Sequence, residues 1–288
     1  MTSIADIPQI RAYAPERIAE ALGRRPRGRM PEPGTKLMII AADHAARGVL
    51  AAGHAPMAMA DRTELLERCM TALARPGVHG FLGTSDVVED LALLGALDGM
   101  LVLGSMNRGG LAGASFEMDD RFTGYDAEGV RLAGLDGGKM LLRIDDSDPG
   151  SLGTIEACAR AVDALAERRL TALVEPFISR RVDGRVRNVL TTEDVVRSVA
   201  IASGLGRTSA YTWLKVPMVD QMERVVAAST MPALVLGGEV TQDTEATLEG
   251  WGRALALPGV AGLVIGRSLL YPPDGDVAAA VDRAVGLL

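Results

Sequence analysis

The residue best suited to covalent chemistry lies in Tyr211-Thr-Trp-Leu-Lys-Val-Pro217, a short run whose one charge is Lys215. Read as a strand, the run alternates its side chains between two faces. Tyr211, Trp213 and Lys215 share one face, and Thr212, Leu214 and Val216 share the other. If the second face packs on helices, Lys215 points inward. A buried ammonium is costly unless it is paired or loses its proton. A neutral amine attacks a carbonyl and forms a Schiff base, and lowering a lysine from ~10.4 to about 7 takes roughly 4–5 kcal/mol of differential interaction. The competing reading is a snorkelling or salt-bridged lysine at a strand end. The chain has three lysines, Lys36, Lys139 and Lys215, against many arginines. Arginine neither forms an imine nor deprotonates, although an Ala, Gly and Arg bias would produce the same scarcity of lysine.

Other charges stand at or near the ends of apolar runs. Asp43 follows Leu37-Met-Ile-Ile-Ala-Ala42, Arg143 and Asp145 lie near the end of Lys139–Ile144, and Glu175 lies near the end of Leu170–Phe177. Their parity puts all of them on one face, with apolar or small residues opposite. They make either a structural ion-pair network or a catalytic set. In the catalytic reading Lys215 forms the imine, Arg143 is a cation that disfavours its protonated form, Glu175 moves protons, and Asp43 holds or deprotonates a substrate hydroxyl. Lys139 is the rival nucleophile, but it follows Gly137-Gly138 at the start of its run, the end associated with stability. Leu236-Gly237-Gly238 and Ile265-Gly266-Arg267-Ser268 follow two further apolar runs. Their glycines let backbone N–H groups approach a phosphate, and Arg267 adds a charged fork. Of three histidines, His44 follows the first run, His54 lies in the next loop and His79 starts the second run. That placement argues against a three-histidine zinc site. His44 either aids binding and proton transfer or caps and packs.

Positioning these groups needs a repeating scaffold. Apolar runs at 37–42, 78–82, 100–103, 139–144, 170–177, 211–217, 233–236 and 263–265 alternate with amphipathic segments at 61–73, 87–97, 127–133, 151–167, 192–202, 219–228, 244–254 and 277–287. Eight such pairs predict an α/β fold of the (β/α)8 TIM-barrel type, with chemistry at the C-terminal strand ends. A doubly wound sheet is the alternative, but no GxGxxG follows the first run. Residues 1–36 read as an N-terminal extension with one helix at 15–22 and an exposed linker wrapping the domain, Arg24-Arg-Pro-Arg-Gly-Arg-Met-Pro-Glu-Pro-Gly34, ahead of a catalytic domain at 37–288. The irregular segment 104–122 is long enough to cover a site, and Arg180-Arg-Val-Asp-Gly-Arg-Val-Arg187 reads as an arginine-rich loop.

With 288 residues, 48% of them hydrophobic, the chain can bury a large core. A net charge of −7 argues against nucleic-acid and anionic-membrane partners. Cys69 and Cys158 fall far apart in helical patterns, which suggests a reducing cytoplasm. No apolar signal core or membrane-length run occurs, so a cytoplasmic homo-oligomer acting on a small molecule without metal or cofactor is expected.

Ala42-Asp-His44, Leu173-Val-Glu-Pro176, Trp213-Leu-Lys-Val-Pro217, Gly237-Gly238 and Gly262-Leu-Val-Ile-Gly-Arg267, in this order, resemble class I aldolases of the aldolase-type barrels. These include archaeal-type fructose-bisphosphate, tagatose-bisphosphate and sulfofructose-phosphate aldolases. The resemblance implies a Schiff base on Lys215, acid/base work by Glu175, phosphate binding by Gly266 and Arg267, and a role for Asp43. It implies cleavage of a phosphorylated ketose to dihydroxyacetone phosphate and an aldehyde. Two departures stand out. Archaeal members use a tyrosine where Glu175-Pro-Phe177 stands, and the family's substrate-facing residues have no clear match in Leu82-Gly-Thr-Ser85 or Gly104-Ser-Met-Asn107. The chain is also similar to an actinobacterial aldolase-like group associated with inositol breakdown, which makes 5-dehydro-2-deoxygluconate 6-phosphate a candidate substrate. A phosphosugar isomerase that uses no imine, and a ligand-binding barrel without catalysis, are the alternatives.

Overall fold

The structure, a computed structural model, describes residues 2–288. Two short helices, α1 (Ile7–Tyr13) and α2 (Glu16–Arg24), precede the alternating units. These run β1 (Leu37–Ala42), α3 (Arg62–Leu73), β2 (Gly80–Gly83), α4 (Ser85–Leu93), β3 (Leu101–Ser105), α5 (Ala127–Leu132), β4 (Gly137–Ile144) and α6 (Gly150–Glu167). The second half runs β5 (Thr171–Val182), β6 (Arg185–Asn188), α7 (Thr192–Ser203), β7 (Thr212–Val216), α8 (Met222–Ala227), β8 (Ala233–Leu236), α9 (Thr244–Leu255), β9 (Val260–Ile265), α10 (Arg267–Leu270) and α11 (Val277–Val285).

Strand order is β4-β3-β2-β1-β9-β8-β7-β5, and β4 also pairs with β5, so eight parallel strands close into a (β/α)8 barrel. The alternation of side chains divides the core. Leu37, Ile39, Ala41, Leu82, Leu101, Leu103, Leu173, Leu234 and Val264 fill the barrel interior. Residues of opposite parity, such as Met38, Ile40, Met140, Leu142, Val174, Leu214 and Val216, pack outward against the helices. Burial on both faces is why these strands read as nearly continuous apolar runs. Toward the C-terminal mouth the inward positions change chemistry: Asp43 follows Ala41, Ser105 follows Leu103, Glu175 follows Leu173, and Lys215 follows Trp213.

Two segments differ from the sequence reading. Strand β5 does not stop near Phe177 but continues to Val182 and turns into β6, pairing Ser179 with Asn188 and Val182 with Arg185. The arginine-rich loop is therefore a hairpin arm beside the mouth. Its turn residues, Asp183 and Gly184, have φ of 50° and 76°, the left-handed pair that suits a tight hairpin and that Asp-Gly favours. The expected linker does wrap the domain, and it is docked there as a strap through Arg25 and Arg27. Arg25 is buried, with Nη1 donating to the Met100 carbonyl (2.8 Å) and Nη2 to that of Gly134 (2.9 Å). Arg27 pairs with Asp136 at 2.8 Å. These groups lie where β3 and β4 begin, so the strap covers part of the barrel's N-terminal end. Ahead of it, α1 adds a helix where one at 15–22 was expected, burying Ile7 and Ile10. Among the described residues no helix is long and apolar enough to cross a membrane.

Candidate active site

Strand ends bring the inward charges together. Lys215 Nζ lies 2.7 Å from Glu175 Oε1, and Lys139 Nζ contacts Glu175 Oε2, so one carboxylate on β5 is flanked by ammonium groups from β7 and β4. Lys139 also reaches Asp43 Oδ2 at 3.4 Å. On the other side of Asp43, Arg108 makes an ion pair with the same oxygen. Ser105 Oγ donates to Asp43 (2.9 Å) and accepts from Arg108 Nε (2.9 Å). All of these groups are buried.

Lys139 is the third residue of β4, at the start of its strand as expected, yet its side chain reaches the charges at the mouth. The register sets Lys139 beside Ser105 of β3 and Leu173 of β5, with Glu175 two residues further along beside Leu141. One inward step along a strand is roughly 6–7 Å, which an extended lysine stem spans. Lys139 and Lys215 therefore approach the same carboxylate from different heights. Strand parity alone carried no information about reach.

The cluster opens into a cavity of about 560 Å³ at the mouth, lined by Asp43, His44, Arg108, Glu175, Lys215 and the turns at Gly237-Gly238 and Gly266-Arg267, among others. That size accommodates a small metabolite. Lys215 lines this space and Lys139 does not. A larger hollow of about 720 Å³ lies outside the barrel against α6 and contains neither lysine nor Glu175. We take the smaller cavity as the candidate site because the charge cluster faces it.

The electrostatics follow from burial. Desolvation lowers the Lys215 pKa; Glu175 opposes this, and Arg108 and Arg267 reinforce it. Lys139 is pushed well down by burial and by Arg108, against the pull of Glu175. Burial alone would raise Glu175, but Lys139 and Lys215 outweigh it and hold the carboxyl below its ordinary range. Burial also brings Arg108 down to about 10. His44 is held well below the usual histidine value by burial, then by Arg267 and Lys215. It is the neutral imidazole near pH 7. Its Nδ1 is 3.9 Å from Asp43 Oδ1 and has no hydrogen-bond partner among the described residues.

Arg143 requires a correction. It was expected to be the cation beside Lys215, and the cations acting there are Arg108 and Arg267. Arg143 lines the cavity, but its guanidinium is occupied by Asp120 (Nε to Oδ2, 2.8 Å; Nη2 to Oδ1, 2.7 Å) and by the Glu117 carbonyl. It braces the 104–122 segment over the mouth. That segment supplies the groups the sequence reading missed. Asn107 clips onto the backbone of Leu141 through both amide atoms (2.6 and 2.7 Å), which turns Arg108 toward Asp43. The length of the segment was the only signal; parity does not extend past a strand end. At the opposite rim Gly266 approaches the barrel wall closely, since a Cβ there would lie 2.6 Å from the Ala41 carbonyl and 2.8 Å from His44 Cε1. Arg267 Nε is buried without a hydrogen-bond partner among the described residues. His79 lies at the far end of β2, its Nδ1 accepting from Met38 N (3.1 Å). Among the described residues no group of three or more His, Cys, Asp and Glu is arranged to hold a metal ion.

A family model described as Cgl0159-like matches residues 35–285. The fold superposes on the crystal structure of Cgl0159 from Corynebacterium glutamicum with a TM-score of 0.95 and 53% identity, covering 98% of this chain and 95% of that one. A Schiff-base-forming fructose-1,6-bisphosphate aldolase matches with a TM-score of 0.63 at 17% identity, covering 94% of this chain and 99% of that one. An archaeal fructose-1,6-bisphosphate aldolase, solved with its catalytic lysine covalently bound to the carbinolamine intermediate, matches with 0.64 at 17%, covering 94% and 98%. What these aldolases share with the chain is the barrel; they do not single out the tagatose, sulfofructose-phosphate or inositol-associated groups. No curated protein is significantly similar in sequence.

Proposed function

The chain belongs to the Cgl0159-like family, and from the groups gathered at its barrel mouth we propose that it is a class I aldolase, cleaving or forming a carbon–carbon bond in a phosphorylated ketose through an imine on Lys215. The observation that carries this reading is a buried lysine, its pKa lowered, on the wall of the cavity at the barrel mouth with its Nζ 2.7 Å from the Glu175 carboxylate. Lys215 rather than Lys139 is the nucleophile because it faces the cavity. Lys139 is held between Glu175 and Asp43.

The ketose phosphate sits against Gly237-Gly238, Gly266 and Arg267, which directs its carbonyl toward Lys215. The neutral amine adds to the carbonyl carbon. Glu175, ionised at rest, relays the proton released from nitrogen to the carbinolamine oxygen, and a second proton drawn from solvent lets that hydroxyl leave as water and the iminium form, to be returned when the final iminium is hydrolysed. The iminium then accepts the electron pair of the bond between its α and β carbons as that bond breaks, which leaves an enamine. The hydroxyl on the departing carbon gives its proton to Glu175 and becomes an aldehyde. Protonation of the enamine carbon and addition of one water release dihydroxyacetone phosphate and restore the amine. Lys139 keeps Glu175 oriented and charged, while Arg108 and Ser105 hold Asp43 Oδ2 and leave Oδ1 to accept from a sugar hydroxyl.

Turnover of a phosphoketose panel tests this. Fructose 1,6-bisphosphate, tagatose 1,6-bisphosphate and 5-dehydro-2-deoxygluconate 6-phosphate are assayed for release of dihydroxyacetone phosphate, with and without EDTA. The expected result is chelator-insensitive release from at least one of them, abolished in Lys215→Met. Turnover that survives Lys215→Met would instead favour a barrel enzyme in which the lysine acts only through its charge.

A further inference from the structure

A negative charge stands beside the phosphate turns, and the chemistry above does not use it. Strands β8 and β9 are neighbours, with Leu236 beside Val264. The turns that follow them are Gly237-Gly238-Glu239 and Gly266-Arg267-Ser268. They touch: Ser268 Oγ donates to the Gly237 carbonyl (3.4 Å), and a Cβ at Gly237 would lie 2.7 Å from Ile265 Cγ2. Gly238 has a φ of 70°, the left-handed conformation that glycine adopts freely and that turns the chain sharply. The next residue, Glu239, lines the same cavity as Arg267.

Neither charge is taken up elsewhere. Glu239 is exposed, and its side chain makes no ion pair or hydrogen bond among the described residues. Arg267 donates through Nη1 to the Ala51 carbonyl at 3.4 Å, a long bond, and its Nε has no partner. Burial disfavours the Arg267 charge; Glu239, ahead of Glu175, favours it. Glu239 is therefore the carboxylate that acts most on this guanidinium, and it does so without closing on it as an ion pair. The other carboxylate of the same loop, Asp243, is occupied in capping α9, where it accepts from Ala246 N (2.9 Å). A phosphate held by the two turns lies in the field of Glu239. Ketose and dihydroxyacetone phosphate carry the same phosphate, so a stronger grip binds substrate, reacting complex and product alike. Such uniform binding lowers KM without lowering the barrier, and it slows departure of the last product.

We propose that Glu239 sets the strength of the phosphate grip, its carboxylate opposing the phosphate held by Gly237-Gly238, Gly266 and Arg267 so that the phosphorylated product is released. This rests on the phosphate-binding part of the aldolase reading and not on the imine. Glu239 touches none of the reacting atoms; it acts through its charge on the anion and on Arg267.

Titration calorimetry with inorganic phosphate and glycerol 3-phosphate, neither of which can form an imine, tests this on the whole chain. Glu239→Gln is expected to bind both about threefold to tenfold tighter than the wild type at low ionic strength, the gain shrinking as salt is added. Glu239→Asp keeps the charge and is expected to stay near the wild type. Glu249→Gln makes the same change in net charge on α9, where Glu249 faces Arg253, and is expected to leave affinity unchanged. With a ketose phosphate that turns over, Glu239→Gln is expected to lower KM by the same factor without raising kcat. Unchanged or weaker binding in Glu239→Gln, or an equal gain in Glu249→Gln, overturns the proposal. Arg267→Gln separates it from the reading beneath it. If Arg267→Gln weakens phosphate binding and Glu239→Gln does not strengthen it, the proposal alone falls; if Arg267→Gln binds phosphate as the wild type does, the grip falls with it. Failure of the imine reading would appear separately, as the absence of a reducible adduct on Lys215.

Discussion

Two lysines share one glutamate, and the division of labour between them is decided by access. Lys215 and Lys139 are both buried and both contact Glu175, but only Lys215 borders the cavity. Burial, Arg108 and Arg267 lower its pKa, so the folded protein releases this proton at a lower pH than the unfolded chain does. Between the folded value and the ordinary 10.5 the unfolded state binds more protons. The Lys215 contribution to stability therefore rises with pH through that window and declines as pH falls toward the folded value. Amine reactivity follows the same direction: competitive acylation read by peptide mass is expected to give Lys215 a midpoint below that of an unperturbed lysine. A midpoint at or above 10.5 would remove the physical basis for nucleophilic attack. Glu175 has the same sign, because its lowered carboxyl also binds fewer protons in the folded state than in the unfolded chain and loses its stabilisation as pH falls through its folded value. In Glu175→Gln the amine still captures a ketose, but cleavage slows by about 10²–10⁴-fold, measured as single-turnover release of dihydroxyacetone phosphate. Removing Lys139 is a different perturbation. Lys139→Met leaves two buried carboxylates with less compensation and is expected to cost about 3–5 kcal/mol, read by denaturant titration, while the adduct remains on Lys215.

At the scale of elements, the strands were legible and their extensions were not. All eight barrel strands lie where the apolar runs place them, because burial on both faces leaves an unmistakable pattern, and Asp43, Glu175 and Lys215 could be assigned inward by parity. Parity stops at the last paired residue. Arg108, three residues past the end of β3, and Asp120, buried beneath the same segment, therefore had no sequence signal beyond the length of their loop. The hairpin arm did have one, in Asp183-Gly184 between Val182 and Val186, but the density of arginine masked it. The bracing of this layer makes a measurable demand. Asp120 is fully buried against Arg143, so Asp120→Ala strands a buried guanidinium and is expected to destabilise the protein by about 3–5 kcal/mol. A change below 1 kcal/mol in chemical denaturation would mean that the segment is held some other way.

Considered as a whole, the molecule separates stability from chemistry along the barrel axis. Apolar layers fill the middle, charges gather at the mouth, and the N-terminal strap covers part of the opposite end. The strap reads as an exposed basic linker wrapping the domain, since proline, glycine and arginine dominate it; its partners, the Met100 and Gly134 carbonyls and the Asp136 carboxylate, are ones that no sequence pattern reveals. Arg25→Ala removes hydrogen bonds to the Met100 and Gly134 carbonyls and is expected to lower stability by about 1–3 kcal/mol, seen as a lower Tm, with ketose affinity retained because the mouth lies at the other end. The account as a whole stands on one covalent bond. Incubation with dihydroxyacetone phosphate and borohydride, followed by peptide mass analysis of the wild type, Lys215→Met and Lys139→Met, tests it most directly. The expected result is one reduced adduct per chain, on Lys215 in the wild type and in Lys139→Met and absent from Lys215→Met. An adduct on Lys139, or none on any lysine although the phosphate is bound, would contradict it.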